Sequence, residues 1–94
     1  MWAFFFYKAM IYTVYVLYSV KFDKIYIGYT SDIEQRLLSH NKLATKGYTI
    51  KFRPWSILFT EQYESKPEVM KREKVLKSGL GREFIWKMIK DKQS

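Results

Sequence analysis

The chain is 94 residues long, 48% hydrophobic and 19% aromatic, with a formal net charge of +8. That is one small domain with enough apolar material for one core, and it is not the composition of a disordered chain. Cysteine is absent and His40 is the sole histidine, which excludes a disulfide framework, a thiolate zinc site and any multi-histidine metal centre within one chain.

A small, strongly basic chain is drawn to polyanions, above all nucleic acid. With no thiolate and one imidazole available, any metal must be a hard ion held by carboxylate, phosphate and water. The opening run MWAFFFYKAM is apolar and aromatic. It is shorter than the roughly 20 apolar residues needed to cross a bilayer. It also lacks the basic start and small-residue cleavage site of a signal peptide. Residues 1–9 are therefore read as an appendage, with Met10 as an alternative start. Residues 10–94 are read as a single cytoplasmic domain without a membrane role.

Ile11 to Ser19 is β-branched and aromatic with no breaker, which predicts a strand. Alternation puts Tyr12, Val14, Val16 and Tyr18 on an apolar face. Thr13, Tyr15, Leu17 and Ser19 fall on the other. Lys24 to Tyr29 predicts a second strand, with Ile25, Ile27 and Tyr29 opposite Lys24, Tyr26 and Gly28. The short Val20–Asp23 link makes the two an antiparallel hairpin. Tyr15 and Tyr26 lie on the less apolar face, which is expected to meet solvent.

Ser31 with Glu34 fits a capping box that opens a helix. Ile33, Leu37 and Leu38 supply its buried stripe. Arg36 and His40 are one turn apart, so they project side by side. The helix fades near Asn41–Leu43 into a polar loop, Ala44 to Lys51, and Arg53-Pro54 halts any regular element. Trp55 to Gln62 predicts a third strand, with Ile57 and Phe59 on one face and Leu58 and Thr60 on the other. Ser65 and Glu68 form a second capping box, Pro67 is tolerated in the first turn, and Gly79 is a natural stop. Arg82 to Lys90 predicts a last helix from the spacing of Phe84, Ile85, Met88 and Ile89. The order β-β-α-β-α-α is an α+β fold: a small three-stranded antiparallel sheet flanked by about three helices.

Glu73 stands out. The apolar stripe of its helix runs through Val69, Leu76 and Leu80, and position 73 lies within it. A carboxylate there costs several kcal/mol unless it is paired or bound to a metal. Two readings follow. Glu73 either sits at the rim and pairs with Arg72, Lys77 or Arg36, or it is a ligand for a divalent ion. Beside such an ion a phosphate needs a cation, and the planar fork of an arginine such as Arg36 matches its oxygens. His40 can bond a phosphate or move a proton near neutral pH. The phenols of Tyr15 and Tyr26 can hydrogen-bond or deprotonate an attacking water.

Thr13-Val14-Tyr15 followed by Tyr26-Ile27-Gly28 in a hairpin, then a helix with Arg36 and Ser39-His40-Asn41, resembles the GIY-YIG nuclease domain. The stretch Ser65 to Gly79, which carries Glu73, is similar to the segment that places that family's glutamate. The resemblance runs from Ile11 to about Gly81, and is strongest to the small stand-alone bacterial members. It implies a metal-dependent endonuclease that hydrolyses phosphodiester bonds in DNA, a chemistry that would serve repair or recombination. Glu73 would hold one Mg²⁺ or Mn²⁺, a hairpin tyrosine would activate water, and Arg36 would support the charged phosphorane, with His40 in the same site. Tyr15 is taken as the base and Tyr26 as the positioning residue, although the two roles are exchangeable.

Thr13 replaces the family's first glycine. The lysine that some members carry after the second triplet is absent, since Tyr29 and Thr30 stand there. Lys24, on Tyr26's face, is a substitute. Lys24, Lys71, Arg72, Lys74 and Lys77 are expected to contact phosphates, which positions a duplex without reading its sequence. Two other readings compete. One is a nucleic-acid-binding module that kept the fold and lost turnover; the other is docking to a membrane or partner through residues 1–9.

Overall fold

The structure is a computed structural model that describes residues 10–93. Residues 1–9, and with them the appendage reading, lie outside the described residues. Strand β1 (Tyr12–Ser19) is central, between β2 (Lys24–Thr30) and β3 (Ser56–Tyr63), and both pairings are antiparallel. Helix α1 (Ile33–Leu38) follows the hairpin, and α2 (Lys66–Lys77) and α3 (Gly79–Gln93) follow β3. The expected α+β architecture and element order are those observed.

The hairpin turn closes on Asp23, whose φ of 54° is the left-handed conformation that a short polar side chain tolerates. Tyr18 donates its phenol proton to Asp23 Oδ1 at 2.7 Å, which ties the turn to the strand.

Both faces of the sheet are covered. Val14, Val16, Tyr18, Ile25 and Ile27 pack with Val69 and Leu76 of α2 and Ile85 and Ile89 of α3. On the other face Tyr15, Leu17 and Trp55 form a second, smaller core with Tyr26, Ile33, Leu37 and Phe52 around it. The Tyr15 face therefore does not meet solvent as expected: Tyr15 is only 2% exposed. Alternation ranks two faces of a strand by polarity, but it does not reveal that a later segment returns to cover the more polar one.

Strand β3 departs from strict alternation. Val16 pairs with Phe59 and Leu17 with Ile57, so Leu58 is an extra residue in a bulge. The bulge reverses the phase of the strand. Phe59 packs on the α2/α3 side with Leu58, whereas Ile57 lies opposite Leu17 on the other face. The expected pairing of Ile57 with Phe59 on one face is corrected accordingly.

Two helix boundaries are also corrected, the start of α1 and the corner between α2 and α3. The N-cap of α1 is Asp32, whose carboxylate accepts from the Gln35 amide at 3.1 Å. Ser31 is bypassed, and Leu38 is exposed rather than buried. Gly79 opens α3 instead of ending α2, since the corner is made by extended Ser78. Leu80 then points away from the core and is 81% exposed. The residue that the corner requires is Gly81, where a Cβ would fall inside the backbone of Val75 and Leu76. The cap at Ser65 is as expected, its Oγ accepting from the Glu68 amide at 3.3 Å.

Arg72 grips Glu61 of β3 with both prongs, Nε to Oε1 at 2.7 Å and Nη2 to Oε2 at 3.1 Å. This fork holds the Glu61 carboxyl below the usual carboxylate range and joins α2 to the sheet.

Candidate active site

The site is assembled on the β2 side of the smaller core. Gly28 stands opposite Tyr15 in the β1–β2 pairing. A Cβ on Gly28 would lie 2.6 Å from the Tyr15 hydroxyl oxygen and 2.8 Å from Cζ. The glycine is thus the flat surface on which the Tyr15 ring rests, with its hydroxyl reaching across β2.

His40 reaches the same point from the other side. Helix α1 stops at Leu38, and Ser39–Leu43 form a single wider turn. The Ala44 amide bonds the Ser39 carbonyl five residues back, at 2.9 Å. The widening separates the two residues expected to project together: Arg36 remains exposed, while His40 turns inward and is 8% exposed. His40 Nε2 lies 2.9 Å from the Tyr15 hydroxyl, and Nδ1 lies 3.0 Å from Thr49 Oγ1.

The turn carrying His40 is fastened from the segment before β3. Arg53 donates to the carbonyls of His40, Ser39 (3.1 Å) and Ala44 (2.8 Å). The Asn41 side chain exchanges two hydrogen bonds with the Trp55 backbone, at 2.6 and 3.0 Å. Tyr26 sits amid rings, 4.8 Å from His40 and 6.3 Å from Tyr15 between centroids.

Electrostatics bias both central groups toward their neutral forms. Burial pushes the Tyr15 phenol well above its ordinary value; neighbouring Tyr26 and Glu73 add to this, and Arg36 opposes it. Burial likewise lowers the His40 pKa, with Arg36 and Arg53 pushing in the same direction. Arg36 and Glu73 therefore both act on the Tyr15 oxygen, with opposite sign. The His40 shift also bears on stability. Its folded pKa lies below the unfolded value of about 6.5, so between the two the unfolded chain binds more protons and stability falls as pH drops. Chemical denaturation between about pH 7 and 5 is expected to show this slope, and His40→Gln to remove it.

Glu73 satisfies parts of both readings. Its side chain is 20% exposed and pairs with Lys77 Nζ at 3.4 Å, across one helical turn. Among the described residues there is no cluster of three or more His, Cys, Asp or Glu that could enclose a metal. A single, partly exposed carboxylate fits a hard divalent ion that keeps most of its waters and takes phosphate oxygens from substrate.

The expected phosphate contacts divide between two surfaces. Lys24 and Lys77 line a cleft of about 440 Å³ together with Tyr26, Tyr48, Arg82 and Trp86. Lys71 and Arg72 line a separate hollow with Tyr63 and Glu68, and the Arg72 guanidinium is engaged by Glu61. Lys74 is exposed on α2. The structure thus brings together Tyr15, Tyr26 and His40 by direct contact, and Arg36 and Glu73 through their charges. The sequence marks Asn41 only within Ser39-His40-Asn41 and Arg53 only as a breaker with Pro54, and it marks Thr49 and Tyr48 not at all. Their partners lie at separations such as 9 and 14 residues, which no helix or strand period marks.

No helix among the described residues is long and apolar enough to cross a membrane. The GIY-YIG catalytic domain family matches residues 11–88. A UPF0213 protein of Staphylococcus haemolyticus is 34% identical over 79 residues, 84% of this chain and 94% of that protein. A UPF0213 protein of Bacillus velezensis is 39% identical over 51 residues, 54% of this chain and 52% of that one. Among solved structures, the solution NMR structure of a UPF0213 protein of Bacillus halodurans superposes with a TM-score of 0.51 at 30% identity, covering 84% of this chain and 85% of the other.

Proposed function

Because the chain belongs to the GIY-YIG family, we propose that it is a divalent-metal-dependent endonuclease that hydrolyses phosphodiester bonds in DNA. The observation that carries this reading is the buried hydrogen bond between the Tyr15 hydroxyl and His40 Nε2, within reach of the charges of Arg36 and Glu73.

A buried phenol that keeps its proton cannot by itself accept one from water. Tyr15 has to pass its own proton on, and neutral His40 at 2.9 Å is the acceptor. The pair then works as one general base: water gives a proton to the Tyr15 oxygen while Tyr15 gives its proton to Nε2. Tyr26, packed against both rings, keeps them in register. Arg36 is exposed and its charge reaches both groups. A phosphate approaching there meets a cation where negative charge develops. Glu73 would hold the divalent ion, which when bound polarises the phosphate and stabilises the leaving oxygen. Lys24, Lys77 and Arg82 would contact the backbone of the same strand along the cleft. Lys71, Lys74 and Arg72 would lie outside that path, as helix-surface charge and a structural fork.

The test is nicking of plasmid and branched DNA in Mg²⁺ or Mn²⁺. Arg36→Ala is expected to lower the rate by roughly 10²–10³-fold, the size of losing one charge-stabilising group. DNA that is bound with a steep salt dependence but left intact with every metal would replace the nuclease reading with that of a binding module.

A further inference from the structure

His40 is held at both ring nitrogens, and only one of its two neutral tautomers supports the transfer described above. The two arrangements differ in where the protons lie. In one, Nδ1–H donates to Thr49 Oγ1 and Nε2 accepts from the Tyr15 phenol. In the other, Nε2–H donates to the Tyr15 oxygen and Nδ1 accepts from the Thr49 hydroxyl. In the second, Nε2 already carries a proton and has no lone pair to take another from Tyr15.

The chemistry of the partners decides between them. A phenol is a much stronger acid than an aliphatic alcohol, and an imidazole nitrogen is the strongest neutral base in the cluster. The pairing that gives the better donor the better acceptor is Tyr15 O–H to Nε2. That leaves the Nδ1 proton for Thr49, whose oxygen accepts at 3.0 Å. Thr49 is well suited to the task. Its side chain is buried at 7% exposure, and a β-branched side chain is stiff at χ1. Its own carbonyl is pinned by Trp55 Nε1 at 2.8 Å. The backbone carrying His40 is fixed independently by Arg53 and Asn41, and the ring itself is placed by its two hydrogen bonds.

We infer that Thr49 is a positioning residue, which accepts the Nδ1 proton of His40 and so presents a bare Nε2 to Tyr15. This rests on the nuclease reading for its consequence, but not for its measurement. In the reaction the water lone pair forms a new O–P bond, and the opposite P–O bond breaks with its electron pair retained by the leaving oxygen. The water proton goes to the Tyr15 oxygen, the Tyr15 proton goes to Nε2, and the leaving oxygen takes a proton from solvent. His40 becomes an imidazolium whose Nδ1–H keeps its bond to Thr49, strengthened by the charge. It then returns the Nε2 proton to solvent.

The single histidine makes the test direct, since ¹⁵N-histidine labelling of the intact chain reports one ring. Long-range ¹⁵N–¹H spectra near neutral pH are expected to show Nδ1 protonated and Nε2 bare in the unaltered protein. Thr49→Val removes the acceptor while retaining shape and the carbonyl bond to Trp55, and is expected to shift the proton toward Nε2. Thr49→Ser keeps the acceptor and the tautomer. Cleavage by Thr49→Val should fall roughly 10–100-fold in kcat with KM unchanged, part of what positioned proton transfer contributes, and Thr49→Ser should restore it. A proton on Nε2 in the unaltered protein, or a tautomer indifferent to Thr49→Val, would overturn the inference. The tautomer is read without substrate, so absence of cleavage by the unaltered protein would overturn the nuclease reading alone.

Discussion

Tyr15→Phe is expected to keep the fold and to lose roughly 10²–10⁴-fold in cleavage rate, the usual contribution of a positioned general base. The phenyl ring still lies on Gly28 and still fills the smaller core beside Leu17 and Trp55. What disappears is the hydroxyl that bonds His40 Nε2 and that, in the proposed mechanism, links water to it. The structural cost is one unpaired Nε2 in a buried site, about 1–3 kcal/mol, so thermal denaturation should show a modest drop and a cooperative transition. His40→Gln should lose activity to a similar extent, and the double variant should lose little more, because the two groups act as a unit. Additive losses in that cycle would refute the coupled base. Exchange of roles between the tyrosines is tested in the same experiment, since Tyr26→Phe is expected to cost far less: Tyr26 meets His40 through its ring, which phenylalanine retains.

The second large effect is at Glu73. Glu73→Gln is expected to reduce cleavage by at least about 10³-fold, since a bound metal supplies several kcal/mol of transition-state stabilisation. Glutamine has the same shape and a neutral oxygen that competes poorly with water for Mg²⁺. The fold should not notice. The pair with Lys77 spans one turn at 3.4 Å with Lys77 half exposed, and such pairs are worth about 0.2–1 kcal/mol. Two measurements separate the roles: Mn²⁺-induced relaxation of nearby resonances should vanish with the carboxylate, and the denaturation midpoint should barely move. Cleavage that survives Glu73→Gln would refute the metal-ligand role and leave Glu73 as a helix-surface partner of Lys77.

What the chain reveals on inspection follows from short-range rules. Val, Ile and Tyr between Tyr12 and Ser19 can hardly be other than a strand, and Ser65, Pro67 and Glu68 mark a helix start whatever surrounds them. Glu73 is conspicuous because it interrupts an apolar helical stripe, whereas the hairpin tyrosines, Arg36 and His40 stand out only through their order and spacing. Cap choice between Ser31 and Asp32 was not legible, because both side chains can cap and the Thr30 hydroxyl, which bonds the Asp32 amide and carbonyl, tips the balance. The bulge at Leu58 was not legible either, because it exists only in register with β1.

Element order, basic charge and a set of candidate site residues are readable from the chain alone, since these depend on composition and on spacings within a turn or a hairpin. It takes the packed fold to show that the Tyr15 face is covered, that His40 turns inward while Arg36 stays out, that Thr49 meets the far side of the imidazole, and that Arg72 serves Glu61. These outcomes depend on contacts between residues far apart in the chain: Tyr15 with His40, His40 with Thr49, Arg72 with Glu61, and Trp55 in the core that covers Tyr15. No backbone period encodes such separations; they are set by how a wider turn and a bulge re-aim side chains once the two cores have closed around the sheet.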